Sequence, residues 1–149
     1  MTNQVPTTSE IWVQSQFPDW DFVNAEWDFE SPFFGRVEVK EVRYCGAFKI
    51  KYEQVDSADY FLFTTVEGGQ KEHTEKCDGL GKCYCKWVGG QVTSWTMMSN
   101  DQLRIKIGQM IQKGLKVNQI WKTVKVNGEE IKVYRYELRS SQFDLMELV

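Results

Sequence analysis

The chain has a single histidine, and this scarcity limits the catalytic schemes open to it. If His73 is a metal ligand, no imidazole remains to act as a general base for a serine or cysteine nucleophile. The phosphate-binding patterns G-x-x-x-x-G-K-[ST] and G-x-G-x-x-G are also absent. We therefore expect a protein that is not an enzyme. A metal-dependent nuclease is the third-ranked alternative, because carboxylates are abundant although no spacing singles out a pair.

Long apolar runs are missing as well. Nowhere do eighteen apolar residues follow one another, and the first ten residues have neither the basic nor the apolar part of a signal peptide. These absences predict a soluble, cytoplasmic protein without a membrane partner. In that compartment cysteines stay reduced, so a metal site is favoured over a disulfide.

Positive charge is missing from the first 35 residues. They contain six carboxylates and no Lys or Arg, which gives this segment a charge of −6 although the whole chain has only −3. Between Lys82 and Arg139, eleven Lys and Arg stand against four Asp and Glu, a charge of +7. One end of the chain is thus acidic and the other basic.

Residues 73–85 concentrate the metal-binding side chains. This stretch holds the only histidine and three of the four cysteines. One imidazole and three thiolates form the ligand set of a closed tetrahedral zinc site, which leaves no position for a catalytic water. The alternatives are a turn with idle reduced thiols or a disulfide. The predicted ligands of a structural zinc ion are His73, Cys77, Cys83 and Cys85.

The length and the hydropathy pattern predict one α+β domain that is mostly β. Residues 36–55 alternate apolar with charged side chains, and shorter strand patterns follow at 60–66 and 92–96. Gly46 marks either a bend in one long strand or a break between two strands. The predicted organisation is an acidic aromatic segment (1–35) packed on or near the domain, a β-rich domain (36–139) and a C-terminal tail (140–149), a final helix or a docking peptide. Residues 1–10 are expected to be frayed or extended.

Two elements near the C-terminus have strong local signals. Ser99 and Gln102 form a capping box for one main helix over 100–113, and Gly114 suits its C-terminal cap. Asn127-Gly128 favours a two-residue hairpin turn, which pairs Val126 with Glu129 and, further out, Trp121 with Tyr134. One hairpin face then carries Val124, Val126, Ile131 and Val133 and is expected to face the core.

The order of these elements resembles a small oligonucleotide-binding (OB-like) barrel with a zinc-stapled hairpin. A strongly bent open sheet and an unclassified α+β domain are the alternatives, and a winged helix is weaker because no helical pair precedes the helix.

On such a barrel, lysines and aromatic rings that share an outer strand face bind single-stranded nucleic acid, such as single-stranded DNA, by stacking and charge. The competing interpretation is that Trp121 and Tyr134 are a packing pair and that Lys125 is paired with Glu130. The overall acidity of the chain also counts against nucleic acid. The candidate residues are Trp121, Lys125, Lys132, Tyr134 and Tyr136, with a second group of Arg43, Tyr44, Lys49, Lys51 and Tyr52.

The acidic aromatic segment supports a different partner. Large rings alternate with carboxylates there, and they either pack onto the domain as its first layer or engage another protein. The second functional hypothesis is therefore a protein-interaction factor, an inhibitor or adaptor. Its candidate contact residues are Trp20, Phe22, Trp27 and Phe29, and the sequence does not indicate the oligomeric state.

Overall fold

A computed structural model describes residues 6–23, 27–43, 46–73 and 86–147. The protein is α+β and mostly strands, with several sheets, as the hydropathy pattern predicted. The helices are α1 (Thr8–Gln16), α2 (Gln54–Ser57) and α3 (Asn100–Gln112). The strands are β1 (Asp21–Phe22), β2 (Phe29–Ser31), β3 (Gly35–Arg43), β4 (Ala47–Lys51), β5 (Tyr60–Glu67), β6 (Gln70–Glu72), β7 (Lys86–Val88), β8 (Gln91–Ser99), β9 (Asn118–Val126), β10 (Glu129–Arg139) and β11 (Met146–Glu147).

The N-terminal region begins with a helix where a frayed arm was expected. Thr7 caps α1, and its side chain accepts a hydrogen bond from the amide of Glu10 while the Glu10 carboxylate accepts one from the amide of Thr7. This reciprocal arrangement satisfies two amides that the first turn would otherwise leave unpaired. The expectation for residues 8–10 was therefore wrong.

The main sheet has six strands in the order β1-β2-β3-β5-β8-β11. The β3–β5 pair is parallel and the other pairs are antiparallel. The strands of the described ranges do not close into a barrel, so the OB-like prediction was wrong in this respect. An OB barrel needs its first strands to form an antiparallel meander, whereas here β3 reaches β5 through a crossover that contains β4 and α2.

The chain changes sheets around Gly46. β3 ends at Arg43 in the six-stranded sheet, and β4 begins at Ala47 in a separate three-stranded sheet of order β4-β10-β9. Of the two possibilities that the sequence left open at Gly46, the structure has the break. A third sheet is the short β6–β7 pair, which extends the β5–β8 hairpin.

The β9–β10 hairpin turns at Asn127-Gly128, where both residues have positive φ (53° and 81°), as predicted. The predicted pairs hold from Val126 with Glu129 as far as Lys122 with Val133. A bulge then shifts the register, so that Tyr134 faces Ile120 and not Trp121. Val126 and Ile131 are 47% and 45% exposed, so the prediction that their face is a core face was wrong.

Two apolar cores lie on opposite faces of the six-stranded sheet. Beneath α1, Val13, Trp20 and Phe29 pack with Val37 and Leu62. On the other face, the side chains of β5 pack against the three-stranded sheet and α3. The members of this larger core include Val42, Phe48, Ile50, Phe61, Phe63, Leu103, Ile107, Met110, Leu138 and Phe143.

Helix α3 joins the two sheets, since it follows β8 and precedes β9. Its predicted capping box of Ser99 and Gln102 is confirmed, and Gly114 has a positive φ of 79° beyond its last turn. Leu103, Ile107 and Met110 form its buried face.

The C-terminal tail is neither a final helix nor a separate peptide. After a short 3-10 turn over Ser140–Gln142, Phe143 is buried in the larger core, and β11 pairs with β8. Within the described ranges, every helix is too short or too polar to cross a bilayer.

Candidate nucleic-acid interface

The bulge in the hairpin determines which aromatic ring lies on which face of the three-stranded sheet. Lys51 pairs with Arg135, and Arg135 pairs with Gln119, so these three side chains share one face. Trp121 is the extra residue of the bulge and has no registered partner, but its ring contacts the Lys51 ammonium group and so lies on that same side of the sheet. Tyr134 alternates with Arg135 onto the other face. The structure therefore separates Trp121 from the tyrosines with which it was grouped.

We call the side of the sheet with Trp121 the basic face. It carries five cations, at least one from each strand. Glu129 and Glu137 are its only carboxylates within the described strands, so its net charge is +3. By the same alternation the opposite face carries Lys125, Lys132 and Glu130, a charge of +1. Phosphates are therefore attracted more strongly to the basic face. Its defining residues are Lys49, Lys51, Gln119, Trp121, Lys122, Arg135 and Arg139.

Trp121 is the centre of the basic face. Its ring is half-buried, and the ammonium groups of Lys51 and Lys122 lie 4.6 Å and 4.2 Å from the ring centroid. An exposed cation–π contact is worth about 0.5–1 kcal/mol. Stacking of a base on an aromatic ring is worth about 1–3 kcal/mol. A base can thus displace an ammonium group from the ring, and the released cation can meet the adjoining phosphate.

Three tyrosines cluster on the opposite face. The rings of Tyr52 and Tyr136 have centroids 4.4 Å apart, and the Tyr52 hydroxyl donates a hydrogen bond to Asn118 Oδ1 at 2.6 Å. Burial, followed by the neighbouring Tyr136 and Tyr134, raises the pKa of Tyr52. Tyr136 also packs against the larger core. This cluster seals the edge of the core, although Tyr52 and Tyr134 each keep 41% of their surface exposed.

The second predicted group is divided between the two sheets. Lys49 and Lys51 lie on the basic face, but Arg43 is buried in the six-stranded sheet. The Arg43 guanidinium pairs with Glu41 and donates to the carbonyl of Gly68 at 2.9 Å, so it is committed to internal contacts. Tyr44 lies outside the described residues.

Neither packing contact of the competing interpretation is present. Tyr134 pairs with Ile120, so it is not the cross-strand partner of Trp121. Lys125 stands opposite Glu130, yet no ion pair joins them in the part of the chain that the structure describes. Lys125 and Lys132 are both exposed near the hairpin tip.

The aromatic residues near the N-terminus pack mainly on the domain. Trp20 and Phe29 are buried in the core beneath α1, and Phe22 is half-buried at its edge. Trp27 is half-buried against the larger core on the other face of the sheet. Trp20 stacks on Phe17 with ring centroids 4.2 Å apart. The ring left in solvent is Phe33, which is 94% exposed and which sequence reasoning missed.

The predicted zinc ligands fall largely outside the described residues, which include His73 but not Cys77, Cys83 or Cys85. His73 is exposed directly after β6. Glu72 pairs with Lys86, so the excursion that contains all four candidate ligands begins and ends at one place. Among the described residues, no three His, Cys, Asp or Glu side chains gather as a metal site. The zinc site stays a prediction.

A carboxyl pair that sequence reasoning missed lies in the six-stranded sheet. Burial, followed by the charge of Glu38, raises the pKa of Asp28 to about 8. Asp28 Oδ2 accepts a hydrogen bond from the Val39 amide at 2.8 Å. Glu38 is only 7% exposed and lies 3.3 Å from the Lys40 ammonium group. Because Glu38 is enclosed and ion-paired, we interpret the pair as part of the packing between β3 and the segment before β2.

The chain was also compared with models of protein families, with curated protein sequences and with solved structures, and none of the three comparisons gives a match.

Proposed function

We propose that the protein is a non-enzymatic binding module whose basic face binds single-stranded nucleic acid. A base stacks on Trp121, and the ammonium groups of Lys51 and Lys122 meet the phosphates on either side. The observation that carries the proposal is the position of this ring between two cations on the more positive face of an open sheet.

A single strand fits this surface better than a duplex does. An exposed ring can stack only on a base that is free of its own stacked neighbours. Cations alone would bind any nucleic acid, because all nucleic acids share the phosphate backbone. The combination of ring and cations therefore favours unpaired bases, and it implies little sequence preference.

The test is fluorescence anisotropy with a labelled oligothymidine twelve-mer at low salt. Trp121→Ala should weaken binding about tenfold, because it removes one stacking contact. Tyr134→Ala is the matched control, since Tyr134 is an exposed aromatic residue on the opposite face of the same sheet. It should leave the affinity within about twofold of the unmodified protein.

Two results would count against the proposal. One is the absence of binding at low salt, and the other is an equal loss of affinity in both variants, which would show that the aromatic rings contribute only to folding. A labelled duplex of the same length provides a second comparison. It should bind more weakly, and its affinity should not change with Trp121→Ala.

A protein-interaction factor is the second candidate, and the exposed Phe33 supports it. The turn that carries Phe33 is held by Ser31, whose hydroxyl accepts from the amides of Phe33 and Phe34. Asp21 and Glu30 are exposed on the adjoining strands, so a partner would need an apolar pocket with a basic rim. A pull-down with Phe33→Ala tests this candidate, and unchanged capture of the partner would contradict it.

We also propose that a zinc ion binds and stabilises residues 73–85, the segment between β6 and β7. Support comes from the ligand set of one imidazole and three thiols and from the pairing of Glu72 with Lys86 at its base. Elemental analysis of the purified protein should give one zinc per chain, and Cys83→Ser should lower it. Cys45 is the one cysteine outside residues 73–85, so Cys45→Ser is the control and should keep the zinc. A metal-free protein would refute the site.

A further inference from the structure

An open groove of about 550 Å³ lies beside the Trp121 site and continues the basic face. One wall is the end of the three-stranded sheet and the other is the segment that leads from α3 into β9. Its volume falls within the range of small-molecule sites, about 300–1,000 Å³. The lining residues that matter here are Lys49, Lys116, Gln119, Glu137, Arg139 and Leu115.

The groove combines positive charge with an apolar surface. Lys49, Lys116 and Arg139 are exposed, and none of them forms an ion pair within the residues that the structure describes. Its one carboxylate, Glu137, is already paired with Arg135 at 3.0 Å. The exposed Leu115 and the half-buried Ala47 supply apolar contact, and the buried Met110 and Val117 lie behind them. Cations without ion-pair partners beside an apolar wall suit a ligand with an anionic group at one end and a flat apolar group at the other.

The groove is one strand step away from the Trp121 ring. Lys49 precedes Lys51 by two residues on the same face of β4. Gln119 precedes Trp121 by two residues on β9, and the contact of the Trp121 ring with Lys51 places that ring on the same side as Gln119. Two residues along a strand span about 7 Å. This is comparable to the step between neighbouring nucleotides in an extended single strand.

We infer that the groove is a second nucleotide subsite, which holds the nucleotide next to the one stacked on Trp121. Its phosphate meets Lys49, Lys116 and Arg139, its sugar and base lie against Leu115 and Ala47, and Gln119 can hydrogen-bond the base edge. The inference rests on the proposed function and deepens it. The minimal ligand that fills both subsites is a dinucleotide.

Competition experiments test the inference. Thymidine monophosphate and 5′-phosphorylated dithymidine are used to displace the labelled twelve-mer from the protein. The dinucleotide should compete at least about tenfold better, because linking two binding groups makes the second association intramolecular. In the double variant Lys116→Gln/Arg139→Gln this advantage should fall to about twofold. The slope of log affinity against log salt for the twelve-mer should become shallower by about 0.7 for each phosphate that the variant no longer neutralises.

The charge-matched control is Lys125→Gln/Lys132→Gln, which removes two exposed cations from the opposite face. It should keep the full advantage of the dinucleotide.

If the groove variant also keeps that advantage while Trp121→Ala still weakens the twelve-mer, the groove is not a subsite but the proposed function stands. If tripolyphosphate competes as well as the dinucleotide, the groove responds to charge alone and the inference fails. Absence of binding by every oligonucleotide removes both the inference and the proposed function.

Discussion

The two larger sheets of this protein differ in what covers them. The six-stranded sheet is enclosed on both faces, by α1 on one side and by the three-stranded sheet with α3 on the other. The three-stranded sheet gives only part of one face to the core, and its hairpin leaves Ile120, Val126 and Ile131 about half exposed. Charge follows the same division, since β4, β9 and β10 carry seven cations and three carboxylates. The enclosed sheet provides stability, and the open sheet has side chains available for a ligand.

The largest expected effect is on the enclosed sheet. Phe63 is fully buried and lies between Phe48 and Phe143, with ring centroids 4.8 Å and 4.7 Å away. Phe63→Ala should lower the free energy of unfolding by about 3–5 kcal/mol, because less apolar surface is buried and a cavity is left behind. Urea unfolding measures this change. Ile131→Ala on the open hairpin is the control and should cost less than about 1 kcal/mol. Equal costs would remove the contrast between the sheets.

The next effect concerns the buried carboxyl of the enclosed sheet. Because the folded-state pKa of Asp28 is raised from 3.8 to about 8, the folded protein holds a proton that the unfolded chain releases. Stability should therefore fall as pH rises from about 4 to 8. Burial also raises the pKa of Glu38, so part of this decline belongs to that group. Asp28→Asn needs no proton, so it should remove most of the decline and be more stable by about 1–3 kcal/mol at pH 8.

Unfolding curves at several pH values measure the effect of Asp28→Asn. Glu30→Gln, exposed on the neighbouring strand β2, is the control and should keep the decline of the unmodified protein. An undiminished pH dependence in Asp28→Asn would show that another group is responsible.

Local signals were the part of the fold that could be predicted from the sequence. The caps of α3 and the turn at Asn127-Gly128 depend on neighbouring residues alone, and both are confirmed. Thr7 and Glu10 carry an equally local capping signal, which was overlooked in a stretch that otherwise looked polar and irregular. Local chemistry is thus sufficient for individual elements.

Pairing between distant strands could not be predicted in the same way. The parallel β3–β5 pair and the bulge before Tyr134 depend on how the strands meet in three dimensions. The one-residue shift at the bulge moved Trp121 away from the tyrosines and brought it to Lys51. The carboxyl pair of Asp28 and Glu38 likewise forms only after β2 pairs with β3. Of the residues on the basic face, Trp121, Lys49 and Lys51 were therefore predicted as candidates, whereas Lys122, Arg135, Arg139 and the grouping itself were not.

The two helix caps should have a smaller effect on stability than the buried residues of the enclosed sheet. Thr7 caps the helix over the enclosed sheet, and Ser99 caps the helix that leads to the open one. Thr7→Ala and Ser99→Ala should each lower the unfolding free energy by about 1 kcal/mol. Thermal unfolding measures both. Thr7→Ser and Ser99→Thr should restore most of the loss, and failure to do so would mean that the hydroxyl is not the cause.

The smallest expected effect on stability is at the proposed site itself. Trp121 lies on the open sheet and is only half-buried, so Trp121→Ala should change the unfolding free energy by less than about 1 kcal/mol. The same variant is expected to lose about tenfold in affinity for the twelve-mer. A stability loss as large as that of Phe63→Ala would make Trp121 a core residue and would break the division of roles between the sheets.

The most direct test of the basic face as a nucleic-acid site is hydrogen exchange with and without the oligothymidine twelve-mer. Binding should slow amide exchange in β4, in the β9–β10 hairpin and in the segment before β9, and should leave β5 and β8 unchanged. Protection confined to the first 35 residues, or protection spread evenly over both sheets, would contradict the account.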